Sequence, residues 1–140
     1  MKSAHSILIA LAAVFALAFT GCYRTPEQKA ARFVEHISDE LKLDDAQKAK
    51  LDKIKDEFLA KRLEMIAARN EGFDEAIALM KSDTIDKARL DALMEKSQAR
   101  TGETVRLFFA KFAEFHDMLT PEQRAKVAED LSRHREKHKR

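Results

Sequence analysis

Three times along this chain a short polar residue is followed, three positions later, by glutamine: Thr25 and Gln28, Asp44 and Gln47, Thr120 and Gln123. This spacing is a capping box. The first side chain accepts a hydrogen bond from the backbone three residues on, and the glutamine reaches back to the N–H of the cap. Both prolines of the chain, Pro26 and Pro121, directly follow two of the caps. That is the first helical position, where the missing N–H leaves nothing unpaired. Only three glycines occur, and 36% of residues are charged, against about 25% in an average domain. No stretch alternates apolar and polar residues with period two. The chain reads as all-α, built from long helices with solvent-washed charged faces.

A first helix is predicted from Pro26 to about Leu41, with Phe33, Val34, Ile37 and Leu41 as its apolar stripe. After a break at Lys42-Leu43, Asp44 caps a second helix to about Arg69. Asn70-Glu71-Gly72 reads as its end, and Phe73 to Lys81 as one or two further turns. Leu51, Ile54, Phe58 and Met65 share one row of this helix, and Leu59, Leu63 and Ile66 the adjoining one. Such a face is wider than one partner helix needs. The polar run Ser82 to Asp86 holds the hairpin turn. A third helix follows from about Asp86 to Asp117, with Gly102 as a candidate bend. A fourth starts at Pro121, packs through Val127 and Leu131, and frays into a basic tail from about residue 133. A hairpin this thin leaves apolar surface uncovered, which monomers rarely tolerate. The expectation is pairing with a second copy, use of the surface for binding, or both.

Leu43-Asp44-Asp45-Ala46-Gln47 and Leu119-Thr120-Pro121-Glu122-Gln123 resemble the paired LTxxQ signature of the periplasmic Spy/CpxP family. Ser82-Asp83-Thr84 followed by Asp86-Lys87 resembles the turn between that family's two long helices. The resemblance runs from about residue 36 onwards. It implies a long bent helical hairpin with short flanking helices, four in all, forming a cradle-like antiparallel homodimer. It also implies an ATP-independent chaperone that holds unfolded or misfolded envelope proteins under stress. The resemblance to CpxP, and to relatives of the ZraP and CnrX type, implies an alternative: a CpxP-like regulator acting on a sensor kinase, or a CnrX- or ZraP-like sensor of zinc or another transition metal.

The first residues read as an address. Lys2 precedes an apolar run from Ile7 to Phe19, too short to span a bilayer comfortably. Phe19-Thr20-Gly21-Cys22 resembles the end of a bacterial lipoprotein signal. This reading makes residues 1–21 a signal peptide, Cys22 the lipid-bearing residue, and 22–140 the helical domain with its basic tail. An ordinary secretory signal and an uncleaved anchor are the alternatives. Tyr23 replaces the aspartate that typically retains enterobacterial lipoproteins at the inner membrane. The resemblance therefore implies attachment to the inner leaflet of the outer membrane. With one cysteine, no intrachain disulfide forms, and a net charge of +2 does not mark a nucleic-acid binder.

Candidate binding residues lie on the two long helices. Phe108, Phe112 and Phe115 follow helical spacing and read as core, whereas Phe109 falls off that row and is a candidate client contact. Leu59, Leu63 and Ile66 have the same standing, flanked by Lys55, Arg62 and Arg69. Basic groups beside apolar rows suit weak capture of unfolded chains; a solvated charged face is the plain alternative. For metal, His36 with Glu35 and His116 with Asp117 form one candidate set, and His134 with His138, four apart, another. No nucleophile elbow, phosphate loop or metalloprotease motif occurs, so catalysis finds no support and no cofactor is implied beyond a candidate metal.

Overall fold

A computed structural model describes residues 25–137, and every regular element among them is helical. In chain order they are α1 (Pro26–Leu41), α2 (Asp45–Met80), α3 (Lys87–Met118) and α4 (Pro121–Lys137). The all-α, four-helix expectation holds. Residues 1–21, Cys22 and His138 lie outside the described residues.

Local chemistry sets the helix ends. At α1 the Thr25 hydroxyl accepts from Gln28 N at 3.3 Å, and Gln28 Oε1 accepts from Thr25 N at 3.2 Å. The helix stops where Lys42 turns left-handed, at φ 52° and ψ 52°. Its N–H then donates to Asp39 O at 3.3 Å, and that of Leu43 to Ser38 O at 2.9 Å. A left-handed non-glycine residue costs about 1–2 kcal/mol, offset here by satisfying carbonyls that the helix end would otherwise orphan. The turn delivers Asp44 to cap α2. Asp86 likewise caps α3, its carboxylate accepting from Ala88 N at 3.0 Å and Arg89 N at 3.3 Å.

The second helix does not end at Asn70-Glu71-Gly72. It runs unbroken for 36 residues, from Asp45 to Met80, about 54 Å. No glycine among the described residues has a positive φ, so Gly72 is an interior helical residue and not a left-handed cap. Glu71 and Glu75 both pair with basic residues of α3, contacts that exist only if α2 carries on. Tertiary pairing outweighs the weak local stop signal. In the same way α3 passes through Gly102 as one helix.

The chain divides into two compact units, one formed by the segments ending at Leu59 and beginning at Ala113, the other by Ala60–Phe112. The first holds the apolar core: Val34, Ile37 and Leu41 from α1, Leu51, Ile54 and Phe58 from α2, Phe115 and Met118 from α3, and Val127 from α4. Leu131, expected beside Val127, is only half-buried, while Asp130 is buried and paired with Arg133. Two further expectations are corrected in the second unit. Phe112 is 41% exposed, because the inward row of α3 runs through Thr104, Phe108 and Lys111, with Phe112 about 80° round from its middle. Met65 is also exposed. Together with Ala67 and Ala68 it lines a cleft that these short side chains leave open.

Candidate functional site

Two features stand out, one in each unit. In the first, Gln47 and Gln123 do more than cap their own helices. Gln47 Oε1 accepts from Asp44 N at 3.0 Å, while its amide nitrogen donates to Met118 O at 2.7 Å and to Gln123 Oε1 at 2.8 Å. Gln123 mirrors this. Its Oε1 accepts from Thr120 N at 2.8 Å, and its nitrogen donates to Leu41 O at 3.1 Å and to Gln47 Oε1 at 3.2 Å. A glutamine amide has two donors and an oxygen that can accept twice, and both side chains use all of them. Each glutamine therefore closes the start of one helix and the end of another: Gln47 joins α2 to α3, and Gln123 joins α4 to α1. Leu43 and Leu119, which precede the caps, are both buried. Each glutamine read from sequence as a local cap. The spare amide donors were the signal that a second partner was needed.

The second unit, Ala60–Phe112, is built the other way round. Leu63, Phe73, Ile77, Met80, Leu90, Met94 and Phe109 are all exposed, and among its described apolar side chains Leu79 alone is fully buried. What crosses between its helices is charge. Lys61 pairs with Glu103 at 3.4 Å, Arg100 with Glu71 at 2.7 Å, and Arg89 Nε with Glu75 at 2.8 Å, with Lys96 also on Glu71. Lys61 is held further by Glu64 at 2.8 Å; hydrogen bonding to Glu64 is the main reason its pKa is raised, opposed by desolvation. None of these pairings was foreseen, because a charge on a helix face carries no mark of which distant residue it meets.

Glu71 is held hardest. Hydrogen bonds from Lys96, then from Arg100, lower its pKa from 4.5 to about 2. A depressed carboxylate stabilises the folded state fully above its ordinary value, and that contribution fades as pH falls from 4.5 through about 2. An NMR titration of the Glu71 carboxyl in low salt is expected to give a midpoint far below 4.5; a midpoint at the ordinary value would mean the pairing does not form.

The candidate contacts fall in different units. Lys55 and Leu59 belong to the first, and Arg62, Leu63, Ile66 and Phe109 to the second. Leu63 is 61% and Phe109 63% exposed, whereas Leu59, Ile66 and Arg62 are half-buried. Lys55 is occupied by Asp52 at 2.7 Å and Asp56 at 3.4 Å, and hydrogen bonding to Asp52 is the main reason its pKa is raised. Of the candidate metal ligands, His36 lies 3.4 Å from Glu40, on its own helix, and His116 lies 2.9 Å from the adjacent Asp117. Among the described residues no three His, Cys, Asp or Glu side chains are grouped to hold a metal ion. Nor is any described helix long and apolar enough to cross a membrane.

A family model described as "LTXXQ motif family protein" matches residues 29–131. No curated protein and no solved structure matches the chain.

Proposed function

The chain belongs to the LTXXQ motif family, that of Spy- and CpxP-like proteins, and from this premise we propose that it is a lipid-anchored, non-catalytic holder of unfolded envelope proteins in the periplasm. The observation that carries the reading is the second unit, most of whose large apolar side chains are exposed, whereas the described large apolar side chains of the first unit are buried or half-buried. Each such side chain is worth about 1.5–3 kcal/mol when covered, so a few contacts suffice for weak, reversible capture. With no nucleotide motif, release follows from weak binding and client folding. The same exposed surface suits pairing with a second copy. Acylation at Cys22 would supply the anchor, at the outer membrane by the Tyr23 reading.

The test is suppression of aggregation of a chemically denatured client at a one-to-one ratio. The mature chain is expected to slow aggregation, and Leu63→Ser with Phe109→Ser to remove at least half of that effect. The melting temperature should stay unchanged, since both residues are exposed. No slowing by the unaltered chain would overturn the proposal. Saturable binding to a single folded kinase sensor domain, without effect on denatured clients, would favour the regulatory reading instead.

A further inference from the structure

We propose that the helix pair of residues 60–112 is an ionic-strength-sensitive clasp, loosened by salt while residues 25–59 and 113–137 stay folded. The proposal rests on reading this unit as the holding surface, whose extent the clasp would regulate.

Three observations converge on it. The contacts between the two helices form an antiparallel ladder of charge: Lys61 with Glu103, Glu71 with Lys96 and Arg100, Glu75 with Arg89. Each rung has a carboxylate 34–57% exposed, and the cations are 38–49% exposed except Lys61 at 19%, so dissolved ions reach at least one partner of every pair. Behind the ladder there is little apolar closure. Leu79 is buried, and Ile66, Leu93, Leu107 and Phe108 are half-buried. Between the first two rungs lies a cleft of about 360 Å³ lined by Met65, Ala67, Ala68 and Thr104, where two methyl groups stand in place of larger side chains.

A single exposed pair contributes little, but pairs that share a residue, as both cations share Glu71, act as a network. Salt shortens the reach of such charges from about 30 Å at 0.01 M to about 3 Å at 1 M. Apolar burial and the glutamine hydrogen bonds of the first unit are not weakened this way, and ion pairs there, Lys55 with Asp52 and Asp56 and Arg133 with Asp130, each lie within a single helix. Screening therefore loosens what joins the helices of one unit and leaves the joints of the other. Loosening would uncover the half-buried Ile66, Ala68 and Phe108 and the buried Leu79, adding to the surface already open.

The experiment is hydrogen–deuterium exchange of the mature chain in 0.01 M and 1 M NaCl, read by peptide. Amides of residues 60–112 should exchange roughly tenfold faster in high salt relative to those of 25–59 and 113–137. Glu71→Gln should raise exchange in low salt and shrink the salt response. An equal change in both units, slower exchange of 60–112 in salt, or a full salt response in Glu71→Gln would each overturn the proposal. No client is present, so this outcome is independent of the aggregation assay.

Discussion

Phe115→Ala is expected to lower the unfolding free energy by about 4 kcal/mol, the largest single loss available in the described chain. Phe115 is 2% exposed and sits in the core with Ile37, which is fully enclosed. Truncation to alanine removes most of an aromatic side chain and leaves a void that close-packed helices fill only partly. Phe112→Ala, three residues earlier, is the internal comparison. Its ring is 41% exposed, so the change should cost only about 1 kcal/mol. Urea denaturation followed by circular dichroism measures both. Equal losses would mean that the two rings share the core, as their spacing alone implies.

Gln47→Ala should cost about 3 kcal/mol, a large effect for a polar side chain. Gln47 is 8% exposed, and its removal takes away the reciprocal cap on Asp44 N, the donor to Met118 O and both hydrogen bonds with Gln123. Groups stranded without partners in a buried setting lose about 1–3 kcal/mol each, beyond the modest net worth of the bonds themselves. Gln28→Ala is the control, because its capping box is exposed and, among the described residues, its side chain hydrogen-bonds to Thr25, so it should lose no more than about 1 kcal/mol. Adding Gln123→Ala to Gln47→Ala should cost clearly less than the sum of the single changes, since each amide is the other's partner. Full additivity would show that the two motifs act separately.

Much of this was legible in the sequence. Thr25, Asp44, Asp86 and Thr120 mark helix starts because the short oxygen-bearing side chain and its target lie within one turn. Leu41 was recognisable as an end because nothing rewards continuing past it. The extension of α2 through Gly72 was not legible, since what rewards it is Arg89 and Arg100, many residues away. The same limit hid the meeting of Gln47 with Gln123 and the burial of Asp130. Spacing puts Phe112 on a row with Phe108 and Phe115, but it fixes which residues share a face and not how wide that face is. Phe109 stood apart by the same geometry, and its exposure follows from it.

The crossed glutamines also bear on how such chains change over generations. Each side chain supplies what the other lacks, so a descendant that loses one keeps a partner with idle donors and acceptors in a partly or wholly buried place. Selection then sees a single unit spread over two distant stretches of the gene. Histories in which both glutamines persist, or both are exchanged together, are the stable ones.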